Sequence, residues 1–220
     1  MIGSAFWGSL GWPSPAGGSA EAVLLLHDRV AFLLCAVSWV LFLVRSAYAW
    51  GWRSLGHRRL MEDWVLEMAW TIFPMLALVR LGFPSLRLLY FQEERFSAAY
   101  GVRIVGHQWF WEYDYPGGWL SRSDSVPTLA AGFRRLSGVS APLFLPVGVR
   151  CRRLVTSADV LHSFSLPACG VKVDAVPGRL NSLCFFVHRP GFFYGQCSEL
   201  CGANHTFMPV LAYRLPCELF

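Results

Sequence analysis

The chain has 220 residues, of which 55% are hydrophobic and 15% are charged, whereas roughly 25% are charged in a typical soluble domain. This shortage of charge points to a membrane protein. The net charge of +5 comes almost wholly from arginines scattered along the chain, so the concentrated basic face that nucleic-acid binding requires is not expected.

Two apolar stretches in the first 92 residues have the length of membrane-spanning helices. The first is centred on residues 30–44, which carry no charge, and the second covers residues 68–91. Because a spanning helix needs about 20 residues, we predict helices over about residues 22–50 and 62–91 that form a transmembrane hairpin. A signal peptide cleaved after residues 47–49 is the alternative for the first stretch, and Arg45, between the apolar run and that site, argues against it.

The segment between the two predicted helices is rich in arginine near the helix ends. Its members are Arg45, Arg53, Arg58 and Arg59. By the positive-inside rule this loop stays on the side where the chain is synthesised, so both chain ends lie on the other side. Arg80 falls within the second stretch, and because an arginine at bilayer depth costs roughly 2.5 kcal/mol or more, we expect it to face protein rather than lipid.

Residues 93–220 are predicted to form one external β domain, after an N-terminal part that comprises residues 1–92. Short β-rich runs such as VRIVGHQWFWEYDY and PVLAYRL are separated by Pro, Gly and Ser, and no helical pattern of useful length follows residue 100. A sandwich or small barrel is therefore expected. Its most unusual segment, GQCSELCGANHTFMP at residues 195–209, should lie on a loop between the last strands.

This segment concentrates side chains that bind soft metals. Cys201, His205 and Met208 supply a thiolate, an imidazole and a thioether, which is the donor set of copper proteins once a second histidine is added. His162 is the best candidate for that histidine. Cys197 is one thiolate more than a single blue-copper centre uses, and two cysteines separated by three residues could place both sulfurs between two metals. Such bridging suits fast one-electron transfer.

Two other interpretations of the segment stay open on spacing alone. A structural zinc ion could be held by two cysteines and two histidines, although this would leave Met208 without a role. A disulfide between Cys197 and Cys201 is also possible on an oxidising side of a membrane, and it would leave His205 and Met208 unexplained. The donor types favour copper over both.

Several motifs, in order along nearly the whole chain, resemble subunit II of the haem-copper cytochrome c oxidases. These motifs are WTIFP at 70–74, PSLRLLY at 84–90, GHQWFWEYDY at 106–115, DVLHSF at 159–164, VDAVPGRLN at 173–181 and YGQCSELCGANHTFMP at 194–209. The resemblance implies a two-helix transmembrane hairpin followed by an all-β cupredoxin-like Greek-key barrel. It also implies a dinuclear copper centre, called CuA, in that barrel.

The resemblance assigns roles to residues of this chain. The copper ligands would be His162, Cys197, Cys201, His205, Met208 and the backbone carbonyl of Glu199. The Glu199 carboxylate would bind a magnesium ion shared with subunit I, Trp109 would receive electrons from cytochrome c, and Glu67 would lie near the entrance of a proton pathway. The chain would thus be an electron-transfer subunit of an enzyme whose oxygen-reducing haem and proton pumping depend on subunit I.

The resemblance also implies partners and a location. The partners would be cytochrome c, subunit I, the other subunits of complex IV and membrane lipid, with no nucleic acid. We expect the mitochondrial inner membrane, with the β domain in the intermembrane space, rather than a bacterial plasma membrane. A quinol-oxidase-type subunit II is one alternative, but such a subunit lacks the copper ligands. A membrane-tethered copper-carrying or structural zinc module is the other.

One departure from the family concerns the docking of cytochrome c. Family members commonly present an acidic face, whereas residues 90–220 of this chain contain eleven arginines and one lysine against nine acidic residues, a net charge of +3. Asp114, Asp124 and Asp159 remain as candidate docking residues. The docking surface, or the charge of the partner, is therefore expected to differ.

Overall fold

A computed structural model describes residues 11–50, 62–93, 100–115, 122–128 and 136–215 of the chain. It contains two long helices followed by a β-rich domain, which confirms the predicted order of elements. Arg53, Arg58 and Arg59, on which the predicted orientation in the membrane depends, lie outside the described residues.

The two helices are α1, Gly18–Trp50, and α2, Trp64–Glu93. Both are long and apolar enough to cross a membrane by length and composition. Asp63 begins α2, since its side-chain Oδ1 accepts hydrogen bonds from the backbone N–H groups of Val65 and Leu66 at 3.1 and 3.2 Å. Two prolines, at positions 74 and 84, lie within α2 without ending it, as membrane helices tolerate.

The described residues of the β domain form ten strands, arranged in three sheets. In chain order they are β1 Tyr100–His107, β2 Phe110–Asp114, β3 Arg122–Ser125, β4 Leu143–Pro146, β5 Cys151–Ser157, β6 His162–Leu166, β7 Val171–Ala175, β8 Asn181–Phe185, β9 Gly191–Gln196 and β10 Pro209–Leu215. The sheets have the strand orders β3-β2-β1-β5-β8, β4-β10-β9 and β6-β7. The pairs β1/β5 and β4/β10 are parallel, and the other pairs are antiparallel.

Alternating side chains of these strands fill one hydrophobic core. Along β5 the burial alternates over almost the whole strand, as expected where one face of a sheet is covered. By contrast, all five residues of β6 are buried, so His162 at its start lies inside the domain. The aromatic core around it includes Trp111. The Trp111 ring makes T-shaped contacts with the rings of His162 and Phe164, at centroid distances of 5.9 and 5.4 Å.

Residues 11–23, which include the first turn of α1, group with the β domain rather than with the remainder of the two helices. Ala16 anchors this segment, because its N–H donates to the Ala168 carbonyl at 2.8 Å and its carbonyl accepts from the His188 N–H at 3.0 Å. The Arg189 guanidinium adds a hydrogen bond to the Ser14 carbonyl at 2.8 Å. The chain therefore adds an irregular N-terminal segment to the β domain before α1 begins.

Candidate metal centre

The cysteine-rich segment forms the loop between β9 and β10. The strands pair up to Gln196 opposite Pro209, and the Cys197 N–H donates to the Met208 carbonyl at 3.1 Å, so the loop is closed at its base. Between these residues the chain makes a short 3-10 turn, His205–Phe207. The 197–208 loop thus returns all its donor residues to one end of the β domain.

Four donor side chains form one cluster, His162 of β6 together with Cys197, Cys201 and His205 of the loop. The Cys197 Sγ is 3.9 Å from both His162 Nδ1 and Cys201 Sγ, and Cys201 Sγ is 3.6 Å from His205 Nδ1. The sulfur separation is far beyond the length of a disulfide bond, about 2.05 Å, and both thiols are free. The donor atoms of His162, Cys197 and Cys201 all lie within 4.8 Å of one another and could hold a metal ion.

The same loop contains two further groups that could bind a metal, the Glu199 carbonyl and the Met208 thioether. The carbonyl oxygen of Glu199 lies 3.4 Å from Cys197 Sγ, while the residue itself is exposed. Met208 is fully buried at the base of the loop. The loop therefore offers a backbone oxygen beside Cys197 and a buried thioether, which are donor types expected from the sequence.

The thiol and imidazole groups of the cluster shift one another's pKa values. Burial raises the pKa of the Cys197 thiol, but the hydrogen bond with His162 and bonds with backbone groups of Glu199 and Ser163 outweigh burial and leave the pKa below its ordinary value. Burial and the negative charge on Cys197 raise the pKa of the Cys201 thiol. Burial lowers the pKa of His162, yet its bonds to Cys197 and Asp159 raise it overall. A bound cation would compete with protons for these donors.

Asp159 holds His162 in position from behind. Its Oδ1 lies 2.8 Å from His162 Nε2, so Nδ1 is the ring nitrogen left facing the sulfur atoms. The other carboxylate oxygen accepts the Gln108 N–H at 2.7 Å, and the Gln108 side chain donates to the Cys201 carbonyl at 2.7 Å. Asp159 and Gln108 therefore connect the histidine of β6 to the 197–208 loop, as groups that orient metal ligands do.

Two glycines leave room for this arrangement. A Cβ at Gly106 would lie 2.9–3.1 Å from the ring and Cβ atoms of His162, so only glycine lets β1 pass beneath the imidazole. Gly202 has a φ of +123°, which side chains rarely adopt, and a Cβ there would lie 3.3 Å from the Trp109 ring. The indole of Trp109 thus packs directly on the residue that follows Cys201.

The remaining predicted residues lie in different surroundings. Glu67 is exposed in the first turn of α2, where its carbonyl accepts the Thr71 hydroxyl at 2.8 Å. Asp114 pairs with Arg103 at 2.7 Å, and Asp124 is exposed on β3. The sequence predicted Asp159 as a docking residue and did not single out Gln108 or Gly106. The contacts of Gln108 and Gly106 with the predicted ligands become visible only in the folded structure, where residues 106–109 lie next to residues 159–162 and the 197–208 loop.

Comparison with known proteins identifies the family. A family model described as the periplasmic domain of cytochrome c oxidase subunit II matches residues 100–214, and one for its transmembrane domain matches residues 5–88. Curated relatives named cytochrome c oxidase subunit 2 include those of Metridium senile, 44% identical over 92% of this chain and 83% of the relative, and Drosophila melanogaster, 40% identical over 97% and 95%.

Solved structures agree with these matches. The periplasmic domain of subunit II of cytochrome oxidase (CoxB) of Bradyrhizobium japonicum is 44% identical, with a TM-score of 0.54 over 56% of this chain and 89% of that one. A mixed disulfide intermediate of a thioredoxin-like protein with subunit II of cytochrome c oxidase gives 41% identity and a TM-score of 0.52 over 58% and 89%. The predicted cupredoxin-like fold is confirmed. The chain belongs to the cytochrome c oxidase subunit II family, and so to a family of subunits of an enzyme.

Proposed function

We propose that this chain is the electron-transfer subunit of a cytochrome c oxidase and that its β domain holds a dinuclear copper centre of the CuA type. The observation that carries the proposal is the cluster of two thiols and two imidazoles, Cys197, Cys201, His162 and His205, whose donor atoms lie 3.6–3.9 Å from their neighbours. These two sulfur and two nitrogen donors would together hold a pair of metal ions. The soft donors fit copper, which would accept and release one electron at a time.

The proposed ligands are His162, Cys197, Cys201, His205, Met208 and the Glu199 carbonyl. Burial of His162, Cys197, Cys201 and Met208 excludes water from the donors. Asp159 and Gln108 restrain the imidazole and the loop, so the protein keeps the donors in place while charge enters and leaves. Small rearrangement on reduction is what rapid electron transfer requires.

Trp109 is the proposed receiver of electrons from cytochrome c. Its indole packs on Gly202, next to Cys201, and the preceding residue, Gln108, donates a hydrogen bond to the Cys201 carbonyl. Packed and hydrogen-bonded atoms therefore connect the indole to the cluster of donor side chains. For docking, Asp124 is exposed, whereas Asp114 and Asp159 are already engaged by Arg103 and His162.

The roles that involve other subunits are part of the same proposal. The exposed side chain of Glu199 is left to bind a magnesium ion shared with subunit I, since only its carbonyl lies against Cys197. Glu67, exposed at the start of α2, is proposed to lie near the entrance of a proton pathway. Electrons would pass to the haem of subunit I, where oxygen is reduced and protons are pumped.

The two helices support a membrane anchor. We propose the mitochondrial inner membrane, with the β domain in the intermembrane space. The other complex IV subunits and lipid would then surround α1 and α2. The exposed apolar side chains along both helices support such surroundings.

Metal analysis with electron paramagnetic resonance of the oxidised, copper-loaded chain tests the proposal. We expect two copper ions per chain and hyperfine splitting from two equivalent nuclei. Met208→Leu should change the reduction potential while copper is retained, because a weak thioether ligand tunes a copper site more than it holds the metal. A one-copper spectrum, or zinc without copper, would contradict the dinuclear centre.

A further inference from the structure

Two arginines lie in the core of the β domain, away from the 197–208 loop. Arg153 of β5 is 0% exposed and Arg214 of β10 is 1% exposed, and they belong to different sheets. Their guanidinium carbons lie 3.5 and 5.3 Å from the centroid of the same Phe185 ring. Within the described part of the chain, neither forms a salt bridge with a carboxylate. Two like charges are therefore buried around one aromatic ring.

Hydrogen bonds satisfy only one edge of each guanidinium. Arg153 Nη1 donates to the carbonyls of Cys151 and Phe185 at 2.8 and 3.0 Å, and Arg214 Nη1 donates to the Pro146 carbonyl at 2.6 Å. Arg153 Nε, Arg153 Nη2 and Arg214 Nη2 are buried and have no hydrogen-bond partner among the residues that the structure describes. The Nε–Nη2 edge is a fork that can bind two oxygens of one anion through parallel hydrogen bonds. Arg153 thus keeps this edge free.

A third arginine adjoins the pair. Arg189 is partly exposed, its Nη2 donates to the Ser14 carbonyl at 2.8 Å, and its Nε is buried without a partner. All three guanidinium groups act electrostatically on one thiol, that of Cys169. Arg153, Arg189 and Arg214 are called the arginine cluster below.

No internal group of those described supplies the missing negative charge. Burial raises the pKa of the Cys169 thiol to about 11 against the effect of the three arginines, so this thiol is neutral at physiological pH. Burial and the charge of Arg214 lower the pKa of Arg153 to about 9, which still leaves it charged at neutral pH. An unpaired buried charge is costly, because neither water nor a counter-ion compensates the loss of its hydration.

We propose that the arginine cluster binds a phosphate-type oxyanion. Such an anion supplies negative charge and several acceptor oxygens, which are the two things that the unpartnered N–H groups lack. Arg189 is the member of the cluster that is partly exposed to solvent, so the anion would enter from the side of Arg189. The same chemistry could come from free phosphate or from the headgroup of a phospholipid.

Equilibrium dialysis of the full chain in neutral detergent against radiolabelled inorganic phosphate, at constant ionic strength, tests this site. We expect saturable binding of one phosphate per chain. Arg153→Met, Arg153→Lys and Arg214→Leu should each weaken it by at least about tenfold, since a charged hydrogen bond contributes about 1.5–3 kcal/mol. The lysine variant separates charge from the forked edge. Arg152→Met, the exposed neighbour on β5, is the matched control and should bind like the parent chain.

A second arm distinguishes the source of the anion. The same chains are placed in vesicles of phosphatidylcholine with or without phosphatidic acid, and thermal unfolding is followed by circular dichroism, which also verifies that each variant folds. Stabilisation by phosphatidic acid that Arg153→Met abolishes identifies a lipid headgroup, and binding in dialysis alone identifies free phosphate. The proposal is overturned if the parent chain responds to neither, or if Arg152→Met loses binding as completely as Arg153→Met.

Discussion

The β domain contains two buried polar clusters of opposite character. At the 197–208 loop, sulfur and nitrogen atoms that can act as acceptors face one another at 3.6–3.9 Å, so the cluster calls for a cation. In the arginine cluster, N–H donors lack acceptors, so the cluster calls for an anion. Both clusters are buried, so water cannot provide hydrogen-bond partners for their polar groups. The kind of atom that each cluster presents therefore indicates the charge of the ligand that it could bind.

The two clusters also differ in how they are supported. His162 is held by Asp159, and Gln108 ties the same carboxylate to the 197–208 loop. The arginines are held by backbone carbonyls and by the face of Phe185, without a charged residue behind them. A cluster oriented by a second layer of polar groups suits a site that must keep its geometry during electron transfer.

The largest expected effect is loss of the dinuclear signal in Cys197→Ser and in Cys201→Ser, because both thiols are ligands of the proposed centre. Electron paramagnetic resonance with metal analysis is the measurement. Phosphate binding by the arginine cluster should be unchanged in both variants. Arg153→Met should show the reverse pattern, with an intact copper signal and weakened phosphate binding. If either variant impaired both properties, the two clusters would not be independent sites.

Replacing Gly106 is expected to weaken copper retention by about 100-fold, the upper end of the effect of disturbing a ligand's orientation. In Gly106→Val a Cβ would begin 2.9 Å from the His162 ring and force the imidazole away from Cys197. Competition with a copper chelator measures the change. Gly101→Ala on the same strand is the control, since its Cβ would meet nothing closer than 4.0 Å. Equal copper retention in the two variants would refute the proposed role of Gly106.

Removal of one buried charge should stabilise the β domain when no oxyanion is present. We expect Arg153→Met to raise the free energy of unfolding by about 1–4 kcal/mol in phosphate-free buffer, because an apolar side chain of similar length needs no counter-ion. Chemical denaturation followed by circular dichroism checks this. Arg152→Met, at an exposed position, should stay within about 0.5 kcal/mol of the parent chain. A destabilised Arg153→Met would mean that the guanidinium is already compensated.

The smallest effect is expected for Asp159→Asn. The amide preserves size and can still accept a hydrogen bond from His162, but it removes the negative charge behind the ring, so copper affinity should fall by about tenfold. The reduction potential should also shift, which a role confined to docking would not cause. Asp124→Asn, at an exposed acid of β3, is the control and should leave both copper affinity and potential unchanged.

Copper loading should also depend on pH. The metal must displace the proton from His162 and from Cys201, whose pKa values are both raised in the metal-free chain. Apparent copper affinity is therefore expected to rise as the pH rises, by up to about tenfold per pH unit for each proton released. Chelator competition across a series of pH values measures this slope. A slope of zero would mean that the donors are already deprotonated.

Much of the fold could be predicted because it depends on patterns local in sequence. The apolar runs of α1 and α2 and the β-rich runs after residue 100 are such patterns, and the structure contains both. The donors of the 197–208 loop were also visible, since five of them lie within twelve residues. The residue spacing could not distinguish a dinuclear copper site from a zinc site or a disulfide. The distances between the donor atoms in these three cases differ by only about an ångström or two, which spacing along the chain does not determine.

The supports of the candidate site depend on contacts between distant segments. Gln108 and Asp159 are 51 residues apart, and Gln108 and Cys201 are 93 apart, yet each pair is joined by a 2.7 Å hydrogen bond. The arginine cluster arises in the same way, since Arg153 and Arg214 face Phe185 from different sheets. In sequence these arginines resemble any other basic residue of a basic chain.

The sequence by itself determined the class of protein, the two apolar helices, the β domain and the kinds of donor atom that the 197–208 loop offers. These follow from composition, hydrophobic periodicity and side-chain chemistry, which need no knowledge of the fold. Only the tertiary structure decided that the donors form one cluster, that Asp159 faces His162, and that two arginines are buried without a counter-ion among the described residues. Burial and separation are properties of a packed chain, because they depend on which distant segments fill the space around each group.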